Sequence, residues 1–267
     1  MVDIDGIIEN VYNVRKGVYE MAKEVQLKPV SMYTITAKLM NHLVASVEKE
    51  LGDRGLALLK QGVENFVVEL NEILETAPNS YILVDDETFS FEKLIDAKKV
   101  EQTYKKFAHA QDVARVEQLV SIYSLMAKVF GHVTKVIVEA YGDIGENAIR
   151  QGVWTFGKER GRHIAERAKS VGKPNTIENY LTHYDMGRSD LFEYETIYRE
   201  QEIEQTFTKC AFGDQWKKDG MHQYGILYCQ MIDPAIAKGY NPNFEVVHDE
   251  YILKEGCCHF LFQMKKR

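Results

Sequence analysis

The stretch FEYETIYREQEIEQTFTKC, residues 192–210, separates this chain from an all-helical protein. Phe192, Tyr194, Thr196 and Tyr198 recur at every second position, and Ile203, Gln205 and Phe207 resume the rhythm after a charged break. Successive side chains of an extended chain point to opposite faces, so period two predicts two strands turning near Glu200 to Glu202. Downstream, FEVVHDEYIL (244–253) and CCHFLFQM (257–264) read as two more strands, joined by a tight Lys254-Glu255-Gly256 corner. Between the pairs lie a short helix over Ala211–Lys218, stopped near Gly220, and a second over Tyr224–Ile232. Asp233-Pro234 reads as the cap and first position of a further helical turn, and GYNPNF (239–244) as a turn. Helices packed on an antiparallel sheet over residues 190–264 make the class α+β.

Working outward, the region before this sheet is helical and duplicated. A shift of 90 residues aligns 30–69, VSMYTITAKLMNHLVASVEKELGDRGLALLKQGVENFVVE, with 120–159, VSIYSLMAKVFGHVTKVIVEAYGDIGENAIRQGVWTFGKE, without a gap. Fourteen of the 40 positions are identical, among them His42/His132, Gly52/Gly142, Gln61/Gln151 and Phe66/Phe156, which marks a repeated structural unit. Each copy predicts a helical hairpin. Tyr123, Ala127, Phe130, Val133 and Ile137 follow the helical spacing of three and four, and Ile149, Val153 and Phe156 continue it after a break at Gly142-Asp143. Asp143 is a candidate cap for the second helix. Gly157 and Gly161, one turn apart, predict close approach of another backbone, for helix packing before ligand binding. His42 and His132, at equivalent places, are expected to hydrogen-bond or face solvent rather than to share a metal.

The first copy is followed by a turn at Pro78-Asn79-Ser80, a hairpin around Asp85-Asp86 and a charged helix from Glu92 to Gln118. The expected division is a helical N-terminal region over 1–110 and an α+β domain over 111–267, with the first copy as a degenerate packing partner of the second.

The formal net charge of −7 disfavours non-specific contact with nucleic acid or anionic lipid. No run of about 18 apolar residues is present, so no membrane span is expected. The opening MVDIDGIIENVY has no basic segment leading into an apolar one, so a cytoplasmic location is expected. All four cysteines fall late: Cys210, Cys229, Cys257 and Cys258. Such thiols are core residues, metal ligands or nucleophiles.

Cys210, at a strand end leading into a helix, is placed where unpaired N–H groups stabilise a thiolate; the competing reading is a small buried hydrophobe. Cys229 and Asp233 are spaced i, i+4 and face one cavity if the helix is continuous, whereas a helix starting at Asp233 makes that residue a plain cap. Cys258 shares a strand face with Phe260, Phe262 and Met264; His259 and Cys257 share the other. Arg150, Arg160, Arg162 and Arg188 are the candidate cations for an acidic ligand. The thiols with a nearby His222, His248 or His259 have zinc-ligand chemistry but match no standard zinc spacing. No metal is assigned; a zinc, if bound, would take Cys210, Cys229 and Cys258.

The run KCAFGDQWKKDGMHQYGILYCQMIDPAIAKGYNPNF (209–244), then GCCHFLF (256–262), resembles the L-2-amino-thiazoline-4-carboxylic acid hydrolase family. The ordered features are a strand ending in Cys, a helix with an aromatic, a helix with Cys-x-x-x-Asp, a Gly-aromatic-Asn-Pro turn and a last strand with Cys-x-Phe. Together with YGDIGENAIRQGVWTFGKERGRHIAERAK (141–169) the likeness covers about residues 120–264, and the layout is similar to that of 4-vinyl-reductase-like domains. The resemblance implies a hydrolase that opens L-2-amino-thiazoline-4-carboxylate to N-carbamoyl-L-cysteine, or acts on a related small ring or amidine-like bond. It implies Cys210, Asp233 and Cys229 as catalytic candidates and Asn241, His259 and Cys258 as substrate-binding candidates. The rival expectation is a non-catalytic small-molecule or metal-sensing domain. Apolar helical hairpins also make a homodimer an expectation.

Overall fold

The computed structural model describes residues 27, 29–30, 32–76, 121–186 and 191–265. The turn at Pro78-Asn79-Ser80, the hairpin around Asp85-Asp86, the helix Glu92–Gln118, the division at 110/111 and Arg188 lie outside the described residues.

The duplicated unit folds as two bent helical hairpins. The first is α1 (Met32–Thr76), which breaks at Gly52 with φ 63° and ψ −159°. The second is α2 (Ile122–Tyr141) and α3 (Asp143–Ser170), parted at Gly142 with φ 55° and ψ −133°. Such a backbone is open to glycine and costs other residues about 1–3 kcal/mol, so the repeated glycine sets the bend in both copies. Gly142 itself, not Asp143, is the cap of α3; Asp143 sits in the first turn, where its charge suits the positive helix end. The apolar positions predicted on both helices are buried.

The copies grip each other symmetrically. Gly62 of α1 lies against the backbone of His132 and Val133, and Gly152 of α3 lies against His42 and Leu43. A shift of 90 residues converts one contact into the other, so an approximate two-fold relates the hairpins. The polar seam obeys the same relation. Glu159 takes Lys38 Nζ and His42 Nε2, each at 2.8 Å, while Glu69 takes Lys128 Nζ and His132 Nε2. Each repeat's final glutamate therefore holds the Lys-x-x-x-His of the other.

After α3 come α4 (Ile177–Thr182), β1 (Phe192–Tyr198), β2 (Glu202–Cys210), α5 (Ala211–Lys218), α6 (His222–Tyr240), β3 (Phe244–Glu250) and β4 (Cys258–Met264). The four strands form one antiparallel sheet in the order β1-β2-β4-β3. Phe207 stands opposite Cys258, and Ile203 opposite Phe262, so one face of the sheet carries the apolar stripe of β4 into the helices. Buried side chains form a continuous core from α1 to β4, and the fold is α+β. Among the described residues no helix is long and apolar enough to cross a membrane.

Two local expectations are corrected. The helix does not restart at Asp233: α6 runs unbroken through Asp233 and Pro234. Pro234 has no N–H to give the helix, and packing against α3 holds the segment in place. Gly157 abuts Ala235 and Ile232, while Gly161 and Gly239 bring the two backbones into contact, which is the helix-packing role expected of the glycine pair. Tyr251–Leu253 is not strand either. Ile252 and Leu253 are buried in a turn that closes at Gly256 (φ 90°), and β4 begins at Cys258 rather than Cys257.

Candidate active site

Because α6 is continuous, Cys229 and Asp233 lie on one face, about 6 Å apart along the helix axis. The Asp233 carboxyl is enclosed by protein, and that burial raises it from the ordinary aspartate range to about 6, against the opposing pull of Arg160. Among the described residues Asp233 makes no hydrogen bond and no ion pair.

Cys210 ends β2 and caps α5. The backbone N–H groups of Gly213 and Phe212 favour the thiolate, as the strand-to-helix position predicts, although the sulfur makes no capping hydrogen bond. Burial outweighs them and pushes the thiol up to about 11. Cys258 receives the Ile252 N–H at 3.2 Å and is still pushed up to about 12, again by burial. Burial raises Cys229 strongly, and the charges of Cys210, Cys258 and Asp233 add to the effect. The three thiols and Asp233 therefore share one electrostatic neighbourhood, with the thiols protonated at neutral pH. Cys210, Cys229 and Asp233 are set deep in the protein yet are only half-buried, so part of their surface stays accessible.

Not every candidate joins them. His259 lies on the opposite face of β4 from Cys258, with Nδ1 at 2.6 Å from Asp249 and Nε2 at 3.3 Å from Glu204, and these carboxylates raise it. Asn241 is occupied by turn duty at the end of α6: its amide nitrogen donates to the Asn175 carbonyl at 2.8 Å, and its oxygen accepts the Asn243 N–H at 2.9 Å. The grouping of Asn241, His259 and Cys258 as one substrate wall is thus corrected; strand alternation and turn chemistry pull them apart. The zinc set fares no better, since among the described residues no three or more Cys, His, Asp or Glu side chains come together as metal ligands. His42 and His132 belong to the two separate seam clasps.

Other residues fill the places that sequence left open. Arg160 of α3 is buried and donates Nε and Nη2 to Asp185 at 2.9 and 2.6 Å. Burial works against its charge, and Asp185 more than reverses that. Tyr180, Tyr184 and Tyr228 surround this pair, all raised by burial and all within the field of Asp233 and Arg160. The Tyr180 residue is 1% exposed, and its hydroxyl has no hydrogen-bond partner among the described residues. Of the four candidate arginines, Arg162 is exposed and Arg150 is half-buried, donating to Gln230 Oε1 at 2.5 Å. Tyr180 and Tyr184 are legible as an i, i+4 aromatic pair in NYLTHYD, residues 179–185. Asp185 carries no such signal.

His248 joins the wall from β3. Its Nδ1 lies 3.2 Å from the Cys229 carbonyl, burial lowers it to about 4, and its Nε2 has no partner among the described residues.

The sequence pattern that describes L-2-amino-thiazoline-4-carboxylic acid hydrolases matches residues 122–262, from α2 into β4. No curated protein is a significant match. Among solved structures the chain is similar to a point mutant of the H-NOX protein from K. algicida in its Fe(II) unliganded form. That alignment has 13% identity, covers 86% of this chain and 97% of the other, and has a TM-score of 0.25, too low to transfer fold or ligand.

Proposed function

The chain belongs to the L-2-amino-thiazoline-4-carboxylic acid hydrolase family, and on that premise we propose that it hydrolyses a small sulfur- and nitrogen-containing ring or a related amidine-like bond. The reaction takes place in the space bordered by Asp233, Cys229 and Cys210. The observation that carries this reading is the enclosed, unpartnered carboxylate of Asp233. Burying a carboxylate that no cation contacts is unfavourable even with the pull of Arg160, and perturbed groups of this kind concentrate where chemistry is done.

The chemistry follows from the bond to be broken. In a 2-amino-thiazoline the reacting carbon lies between two nitrogens and a sulfur. Asp233 takes a proton from water as the new C–O bond forms. The C=N electron pair withdraws onto the ring nitrogen as that bond forms. The C–S bond then breaks with its electron pair going to sulfur as the C=O closes, Asp233 returns its proton to that sulfur, and the remaining hydroxyl proton passes to the ring nitrogen. Ring plus water thus becomes a urea and a free thiol, which for L-2-amino-thiazoline-4-carboxylate is N-carbamoyl-L-cysteine. A base near 6 is ionised at neutral pH and close to the proton-transfer optimum. The alternative, attack by a cysteine thiolate, must first deprotonate a thiol that burial holds at about 11 in Cys210. Water addition is therefore the better-supported route, with Cys210 and Cys229 as neutral walls.

The test is thiol release from L-2-amino-thiazoline-4-carboxylate by the purified, reduced protein, beside Cys210→Ser and a chelator-treated sample. The expected outcome is release by all three, with the serine variant within about tenfold of the parent, because a wall residue alters packing rather than chemistry. Complete loss in Cys210→Ser would reinstate the thiolate route, and loss on chelation would make a metal the catalyst. Tight binding with no thiol from any sample would replace the hydrolase with a binding domain.

A further inference from the structure

We propose that the outer edge of β1 pairs with the β1 edge of a second copy, joining the two four-stranded sheets across a two-fold axis at Thr196. The inference concerns the sheet and stands apart from the reading of the Asp233 site.

The first argument is where apolar surface is left over. Apolar hairpins made a homodimer an expectation, but their faces bury one another across the seam. Seven large apolar side chains are exposed among the described residues, and four of them, Leu191, Tyr194, Ile197 and Tyr198, sit on β1 or at its start. A cluster of this kind marks an interaction surface, whereas single exposed apolar residues do not. β1 is the outermost strand in the order β1-β2-β4-β3, and among the described residues no strand lies beyond it. It carries neither lysine nor proline, the common devices against edge pairing. Its charges are Glu193 and Glu195, so register decides what the edge admits.

The hairpin sets which backbone groups face outwards. The Arg199 N–H donates to the Glu202 carbonyl at 2.9 Å, so these residues form a bonded pair at the β1–β2 turn. Bonded and non-bonded pairs alternate along an antiparallel ladder. Ile197 and Glu195 therefore bond their partners Glu204 and Thr206, while the N–H and C=O of Thr196 and Tyr194 point away from β2. An axis at Thr196 sets Thr196 opposite itself and Tyr194 opposite Tyr198 of the second copy. That is the phase the outward groups require.

Charge and packing select the same register. On the solvent face the axis brings Glu193 against Arg199 of the second copy. Within the chain Glu193 already pairs with Lys209, and Arg199 with Glu204, so contact lines up four charges of alternating sign on each side of the axis. On the face towards the helices, Tyr198 of the second copy lands beside Tyr194 and extends its stack on Phe207, whose ring centre is 4.7 Å away. Moving the axis one residue back sets Glu195 opposite Glu195, and like charges directly opposite are destabilising. Moving it one residue forward sets Tyr194 against Glu200 in the turn. Of the three, the Thr196 axis alone satisfies charge and hydrogen bonding together.

The experiment is sedimentation velocity of the full-length, reduced protein from about 1 to about 200 µM. One strand pair with a few side chains falls below the roughly 800 Å² per partner of a standard interface, so a dimer of micromolar affinity is expected. Thr196→Pro removes the N–H at the axis. That N–H faces away from β2, where an edge strand tolerates proline, so the variant should keep its thermal transition and dimerise at least about tenfold more weakly. A cross-link reads the register directly. Bonded partners have Cα atoms about 5.5 Å apart, within disulfide reach, so Thr196→Cys should cross-link under mild oxidation. Glu193→Cys, about 20 Å from its counterpart, should stay at the parent's background. A parent monomeric throughout, a dimer unchanged in a folded Thr196→Pro, or cross-linking no stronger in Thr196→Cys than in Glu193→Cys would overturn the inference. If Thr196→Pro loses its fold, the cross-linking comparison decides.

Discussion

The seam between the two helical copies and the space beside α6 hold the same kinds of side chain in opposite states. At the seam, Glu69 and Glu159 each receive a lysine and a histidine, and every charge has a partner. Beside α6, Arg160 and Asp185 are matched, but Asp233 and the Tyr180 hydroxyl have no partner among the described residues. The electrostatic responses diverge accordingly. The hydrogen bond from His132, with Lys128, holds Glu69 down at about 2, whereas burial holds Asp233 up at about 6. Titratable groups therefore do not by themselves mark a site in this molecule. Matched groups hold the halves together, and the unmatched ones are the candidates for function.

The strongest way to break that contrast is Asp233→Asn. Loss of the acid–base group is expected to lower hydrolysis about 10²–10⁴-fold while the protein becomes more stable. The sign follows from linkage. Asp233 ionises near 3.8 in the unfolded chain and near 6 in the folded one, so the folded state binds more protons between those values. Stability contributed by this group falls as pH rises from about 3.8 to about 6, and the deficit persists above. Asparagine removes it, with a gain of roughly 1–3 kcal/mol at pH 7 that vanishes below pH 4. Paired thermal melts at pH 7.5 and 3.5 measure it; a variant less stable than the parent at pH 7.5 means that Asp233 has a partner after all. In the parent, activity should rise with pH through about 6, as the base ionises.

Asp185→Ala tests the matched pair in the same space. It strands a buried guanidinium, and the expected loss is about 3–5 kcal/mol, read as a shift of the denaturant midpoint. A loss under about 1 kcal/mol would mean that Arg160 reaches water and is no wall of an enclosed site.

These two residues also show what could be read from the sequence. The hairpin repeat and the sheet were legible because period, glycine placement and strand alternation are local signals. Gly52 and Gly142 bend where their spacing implied, and β4 divides Cys258 from His259 as alternation requires. The continuity of α6 was not legible. Asp-Pro is a good helix start in isolation, and only the tight packing of Gly157 and Gly161 against α6 overrides it. Cys229 and Asp233 could be placed on a common face only once that helix was known to run through. The thiol at Cys210 had the correct local cue, two N–H groups at a helix start, but the outcome depended on how deeply the rest of the chain buried it. Asp185 pairs with a residue 25 positions away, and no local pattern announces it.

At the seam the expected effects are smaller. Glu69→Gln should cost about 1–2 kcal/mol, since both of its bonds are charge-assisted but partly open to solvent. Glu159→Gln should cost no more, because its clasp is the more exposed of the two. Both glutamates are lowered below their ordinary value. For Glu69 the contribution is complete above about pH 4.5 and is lost as pH falls toward about 2. An acid unfolding curve of Glu69→Gln that merges with the parent's below that window supports the assignment; a constant offset at all pH values argues for lost packing.

The smallest and most discriminating change is Tyr180→Phe. Two tyrosines in the same aromatic cluster supply an internal control. Tyr240 donates its hydroxyl to the Thr176 carbonyl at 2.9 Å, so Tyr240→Phe should cost about 1 kcal/mol. Tyr180 has no such bond among the described residues, and removing its oxygen should leave stability within about 0.5 kcal/mol of the parent, or raise it. If the hydroxyl serves a ligand, the same substitution should still weaken binding of 2-amino-2-thiazoline by about three- to tenfold. The two readouts separate the roles. A hydroxyl that only builds the fold loses stability first and affinity only through it, as Tyr240 should, while one held for a ligand loses affinity alone. A Tyr180→Phe variant that melts lower than Tyr240→Phe would place Tyr180 with the matched groups and leave Asp233 and His248 as the unmatched residues there among those described.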